Sequence, residues 1–170
     1  RWNAQAGGRL GGTTGVLDDG NPGGSKERPD WTVRWRMAAE ERVTFFGAGA
    51  AFYGHCMKAG ITPAACGDLS AIRVLGSTGS PLSAEVQQWG TDFFRQVSAG
   101  AAVAAAPGRS KQGAASPGGS DPHAAAKRGG DIWWCNISGG TDFAGAFIGG
   151  NRELPQTPGR MQCRMLGAAV

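Results

Sequence analysis

Two short runs carry most of the chemistry this sequence can offer. Gly76-Ser77-Thr78-Gly79-Ser80-Pro81-Leu82-Ser83 follows the apolar stretch Ile72-Arg73-Val74-Leu75, and Ser138-Gly139-Gly140-Thr141-Asp142 follows Ile132-Trp133-Trp134-Cys135-Asn136-Ile137. Both apolar stretches read as β-strands. Small residues where a strand ends let a ligand approach the backbone closely, and in open α/β sheets such ends line the binding crevice. Thr141 adds a hydroxyl able to bond a phosphate oxygen, and Asp142 adds a hard carboxylate suited to magnesium. That pairing suits a reaction at a metal-bound phosphate.

The elements that must position these runs follow from periodicity and punctuation. Residues 2–10 read as a short helix, 13–17 as a strand, and the Pro/Gly-rich stretch 21–29 as a turn. Asp30 is placed to cap a helix over 31–42, with Trp31, Trp35, Ala38 and Ala39 on one face. Residues 43–46 form an apolar run of buried-strand type with 47–49 as its flexible exit. Residues 50–58 read as a helix closed by Gly60 and Pro63. The next strand covers 72–75, and Ser83 caps a helix over 84–97 that carries Glu85 and Asp92. Residues 131–137 resume the sheet, with further strands at 143–148 and 161–166 separated by a loop holding Pro155 and Pro158. This order predicts an α/β fold: a mostly parallel sheet with helices on both faces.

Residues 98–130 break the pattern. They are Ala, Gly, Ser and Pro with Arg109, Lys111, Lys127 and Arg128, and almost no large apolar side chain. Such a segment cannot bury enough surface to offset its ordering entropy, so it is expected to be a disordered insertion. It divides one domain into a first part, 1–97, and a second part, 131–170.

Composition narrows the function classes. Thirty glycines in 170 residues and an aromatic fraction of 8% leave a core that is thin for the length. The net charge of +4 is mild, and no basic stripe interleaved with aromatics is present, which argues against nucleic-acid binding. No stretch reaches the apolar length of a membrane span, and no signal peptide opens the chain. Cys56, Cys66, Cys135 and Cys163 lack zinc-type spacing, and neither His55 nor His123 completes a ligand set. Buried free thiols in a reduced, cytoplasmic protein is the simplest reading, with disulfides or metal ligation as alternatives.

Each run also has a plainer reading. Gly79-Ser80-Pro81 can be a turn that starts the following helix, and residues 138–142 can be a β-turn. Gly11-Gly12-Thr13-Thr14-Gly15 looks like a phosphate loop, but no lysine follows at the required spacing, so it reads as an ordinary connection. Trp133-Trp134 suggests a cation or sugar platform. Alternate residues of a buried strand face opposite layers, however, and core packing accounts for the pair. Arg160 and Arg164 read as surface or interdomain residues.

Together with their flanks, the two runs resemble the adenylate-forming acyl-CoA synthetases, and among them the acetoacetyl-CoA synthetase family. The flanks that carry this are Leu17-Asp18-Asp19-Gly20-Asn21-Pro22, Val43-Thr44-Phe45-Phe46-Gly47, Cys56-Met57-Lys58-Ala59-Gly60, Phe143-Ala144-Gly145-Ala146-Phe147-Ile148-Gly149-Gly150 and Met161-Gln162-Cys163-Arg164-Met165-Leu166-Gly167. Only 98–130 falls outside the likeness. The resemblance implies a two-step ligase: a carboxylate is adenylated by ATP with Mg2+, and coenzyme A then captures the acyl group as a thioester. It implies that Gly79, Ser80, Pro81, Ser138, Gly139, Gly140 and Thr141 bind the nucleotide. Thr141 and Asp142 would be the catalytic pair, with Asp142 holding magnesium. It also implies an acyl pocket at Gly47, Ala48 and Gly139, where the glycine at 139 replaces a tryptophan of acetyl-CoA synthetases and leaves room for acetoacetate.

The sequence departs from the family pattern at Ser138, where an aromatic is usual, and at Ala48-Gly49, where Thr-Ser is expected. Asp142 stands for the usual glutamate, as in the acetoacetyl-CoA synthetases. The family's phosphate loop, its ribose-binding aspartate and its lysine-bearing C-terminal domain have no counterpart here. The expectation is therefore a fragment of the N-terminal domain, inactive alone, with small-molecule substrates and no nucleic-acid partner. The rival readings are another short- or medium-chain acyl-CoA synthetase, and a truncated or mis-spliced product without function.

Overall fold

Alternation along three short strands decides where the core forms. In the computed structural model, which describes residues 10–18, 20–104, 131–140, 142 and 145–169, helix α1 (Val33–Glu40) leads to strand β1 (Phe45–Gly49) and helix α2 (Ala50–Lys58). A 3-10 turn at Pro63–Ala65 precedes β2 (Val74–Thr78) and the long helix α3 (Ala84–Ala104). The next strand is β3 (Trp133–Asn136). These strands form a parallel sheet in the order β1-β2-β3. Register sets Phe46, Leu75 and Trp134 side by side, and all three are buried. Trp35 of α1, Phe52 and Tyr53 of α2, and Phe93 and Phe94 of α3 complete that layer.

The ring contacts are close. Trp35 stacks on Phe46 with centroids 4.3 Å apart, and Tyr53 meets Trp134 edge-on at 5.1 Å. The wholly buried Tyr53 hydroxyl shares its one proton between the carbonyls of Gly76 (3.0 Å) and Phe46 (3.3 Å), pinning α2 to both strands. Tyr53→Phe should therefore lower stability by about 1–1.5 kcal/mol, with the ring packing intact. A fall in the urea midpoint at unchanged m-value checks this.

The α/β fold with a parallel sheet and helices is as expected, with the helices gathered differently. Among the described residues all three pack on the Phe46–Leu75–Trp134 face, while Phe45 on the other face is half exposed. β1 and β2 start two residues later than the apolar runs predict and take in Gly47–Gly49 and Gly76–Thr78. Ladder pairing of Gly47 with Gly76 outweighs the low strand propensity of glycine, and the Phe45 ring lies over Gly76 in place of a side chain there.

Other expectations move too. Residues 13–17 are exposed and irregular rather than a strand, and 2–9 lie outside the described residues. Asp30 does not cap α1 directly. Its carboxylate accepts from the Thr32 N–H (2.9 Å) and hydroxyl and from Arg36, and α1 begins at Val33. Ser83 does cap α3, its Oγ accepting from the Val86 N–H at 3.3 Å. That helix continues to Ala104 instead of ending at 97, and residues 105–130 of the expected insertion lie outside the described set.

After β3 the chain does not extend the parallel sheet. β4 (Ser138–Gly140), β5 (Gly145–Gly149) and β6 (Cys163–Arg164) form a separate antiparallel sheet. The strands expected at 143–148 and 161–166 belong to it, the second of them far shorter. Gln156 finishes the outer edge of β3: its Oε1 accepts from the Trp134 N–H (2.5 Å) and its Nε2 donates to the Ile132 carbonyl (3.2 Å). One carboxamide thus does for the edge what a fourth strand would. Among the described residues no helix is long and apolar enough to cross a membrane.

Candidate functional site

Parallel strands all deliver their carboxyl ends to one edge of the sheet, and there the two glycine-rich runs meet. A cleft of about 450 Å3 is lined by residues 77–82 from the end of β2, 136–139 from β3 and β4, and 159–161 from the loop before β6. Gly79, Ser80, Pro81, Ser138 and Gly139 are thus gathered at one place, although nearly sixty residues separate the runs. Gly79 needs its left-handed backbone (φ 91°) to leave β2 and turn toward α3. Gly159 (φ 75°) closes the opposite wall, where an added Cβ would lie 3.0 Å from Ala84 Cβ at the first turn of α3.

The remaining expected residues fall elsewhere. Gly140 is exposed and outside the cleft lining, and Asp142 is exposed on the turn after β4. Thr141 lies outside the described residues. Gly47 and Ala48, as neighbours on β1, point to opposite sides of the sheet: Ala48 packs against the core and Gly47 lies beside the Phe45 ring. They do not share one pocket wall, and neither lines the cleft. Gly139 does line it, but its Cα–Cβ direction runs into β5. An added Cβ would sit 2.1 Å from the Gly145 carbonyl oxygen and 2.9 Å from Ala146 Cα. Its smallness serves strand pairing.

Two residues that sequence reasoning passed over stand out at the cleft wall. Ser77 and Asn136 are register partners on β2 and β3, 4% and 8% exposed, and both line the cleft. Ser77 Oγ and Asn136 Oδ1 are buried with no hydrogen-bond partner among the described residues. Buried polar atoms are rarely left unpaired, and each such orphan costs about 1–3 kcal/mol unless a partner arrives. The signal was available: alternation puts Ser77 and Asn136 on the same face as Leu75 and Trp134, where a polar residue has no packing reason to be. Arg160 also lines the cleft.

The two adjacent tryptophans divide as alternation requires. Trp134 is core, its Nε1 donating to Thr91 Oγ1 at 3.1 Å. Trp133 faces the other way, donating to Gln162 Oε1 (3.3 Å), with the Arg152 guanidinium 5.7 Å from its ring centre. Burial pushes the Cys56 and Cys66 thiols up to about 11, which makes both poor nucleophiles. Among the described residues no group of three or more His, Cys, Asp or Glu side chains could hold a metal. Magnesium that arrives on substrate phosphates is bound through one or two protein carboxylates, and Asp142 is an exposed carboxylate outside the cleft lining.

No family model matches the chain. The chain is similar to acetoacetyl-coenzyme A synthetase of Rhizobium meliloti (strain 1021), 34% identical over 169 residues that make up 99% of this chain and 20% of that protein. Acetoacetyl-CoA synthetase of Caenorhabditis elegans is 30% identical over 142 residues, 84% of this chain and 15% of the relative. A solved acetoacetyl-CoA synthetase from Streptomyces lividans matches with a TM-score of 0.68 and 36% identity, over 98% of this chain and 20% of that one. The chain thus spans about one-fifth of these synthetases.

Proposed function

Because the chain is homologous across almost its whole length to one segment of the acetoacetyl-CoA synthetases, we propose that it forms the adenosine-binding part of an ATP-dependent acetoacetate–CoA ligase. One observation carries this reading: two glycine-rich runs distant in sequence meet at the carboxyl ends of β2 and β3 in a single cleft with unpaired polar atoms in its wall. The reaction in view has two steps. An acetoacetate oxygen attacks the α-phosphorus of ATP and expels pyrophosphate; the thiol of coenzyme A then attacks the acyl carbon and expels AMP.

The residues of this chain act by holding and orienting. Gly79, Ser80, Pro81, Ser138 and Gly139 let the adenosine lie against backbone, and Asn136 Oδ1 accepts a hydrogen bond from the exocyclic amine of the base. Arg160 brings a cation to a cleft that takes a phosphate-bearing ligand. Asp142 is the residue that would hold magnesium, and the ion when bound neutralises charge on the phosphates. Such positioning can be worth several kcal/mol of barrier without any covalent role for the protein. The 170 residues alone are expected to bind nucleotide without turnover.

A segment exchange tests the function. This chain replaces the matching fifth of the Streptomyces lividans synthetase, and pyrophosphate release is followed with and without acetoacetate. Release that depends on acetoacetate is the expected result. A folded chimera that binds AMP and yet releases no pyrophosphate contradicts the assignment.

A further inference from the structure

Gln87 belongs to neither glycine run, yet it decides how the cleft wall presents itself. It lies on α3 with 3% of its surface exposed. Its Oε1 accepts from the Gly159 N–H at 3.0 Å and from Asn136 Nδ2 at 3.2 Å. The Gly159 donor is a backbone N–H, which only the oxygen of a carboxamide can accept, so the Gln87 amide has one allowed orientation. That oxygen in turn requires the nitrogen of Asn136. The Asn136 oxygen is therefore turned away from Gln87, and it is the atom left buried without a partner.

We propose that Gln87 is a positioning residue that locks the Asn136 carboxamide with its oxygen toward the ligand, so that the cleft selects a 6-aminopurine over a 6-oxopurine. The inference rests on the nucleotide reading given above. An exocyclic amine donates to Asn136 Oδ1 and relieves the orphan. An oxo group at the same place sets acceptor against acceptor, which builds rejection into the wall. Without the Gln87 oxygen, the Asn136 amide can rotate by half a turn and offer its NH2 to the oxo group instead.

Calorimetric titration of the 170-residue chain with AMP and with IMP tests this. The unsubstituted chain should bind AMP about tenfold more tightly than IMP, the worth of one hydrogen bond. Gln87→Met keeps length and packing but removes the acceptor, and the ratio should fall to about twofold or less. Gln87→Glu keeps an acceptor oxygen and should keep the preference. If Gln87 serves structure alone, Gln87→Met weakens both nucleotides together and leaves the ratio unmoved, which overturns the proposal.

A measurement on the unsubstituted chain stands independently of any variant. The Asn136 side-chain NH2 protons should exchange slowly before nucleotide is added, and rapid exchange overturns the locked orientation. Equal affinity for AMP and IMP with a protected NH2 overturns the selectivity. Failure to bind either nucleotide overturns the reading beneath it, and the selectivity falls with it.

Discussion

Gly139→Trp should break the β4–β5 hairpin rather than narrow an acyl pocket. The family resemblance implies the second outcome, since a missing indole leaves space for a longer acid. The backbone gives the reason for the first: the Cβ of any larger residue would lie 2.1 Å from the Gly145 carbonyl oxygen, and a strand carbonyl cannot swing aside as a side-chain tip can. Overpacking by a few methylenes costs about 1–3 kcal/mol, and an indole forced against a paired strand belongs at or above the top of that range. The urea midpoint should fall steeply. Gly140→Ala, whose Cβ would meet nothing within 4 Å, should leave it almost unchanged. A Gly139→Trp chimera of normal stability with its preference shifted from acetoacetate toward acetate would instead restore Gly139 to the acyl pocket.

Asp142→Asn should lower adenylation by about a hundredfold in the Streptomyces lividans chimera, because one preorganised electrostatic contact commonly carries about 2.7–4 kcal/mol. Asp142 is exposed, so the amide, equal in shape, should leave folding untouched. Pyrophosphate release with acetoacetate at limiting magnesium is the measurement. Thioester formation from supplied acetoacetyl-adenylate should suffer much less, since that step expels no pyrophosphate. Normal adenylation by Asp142→Asn under limiting magnesium would reduce Asp142 to a turn residue.

What the sequence made legible is the half of the fold written in strong periodicity. Helix α2 could be read to its bounds because Gly60 and Pro63 close it, and Ser83 marked the start of α3. The meeting of the two glycine runs also followed from parallel order alone, since that order brings both strand ends to one edge. The second sheet was legible only in part: strands were expected where β5 and β6 lie, but neither β4 nor the antiparallel pairing was. Ser138-Gly139-Gly140 has the composition of a turn, and only its pairing with β5, which no local propensity encodes, makes it a strand. Gly47 and Ala48, read from sequence as a flexible exit, lie inside β1 and so face opposite ways. Gln87 could not be found from sequence, because its role depends on Gly159, seventy-two residues away.

Arg95 of α3 binds Asp131, two residues before β3, through two hydrogen bonds of 2.6 and 2.7 Å. Those points lie at the amino-terminal edge of the parallel strands, while the cleft lies at the carboxyl edge.

Titration of the 15N-labelled 170-residue chain with AMP, followed by backbone amide shifts, locates the nucleotide. Saturable changes are expected at Gly79, Ser80, Ser138, Gly139 and Gly159, with the Phe45 face of the sheet undisturbed. Changes centred on Gly47 and Ala48, or none at millimolar AMP in a folded chain, would contradict the assignment of this cleft to the nucleotide.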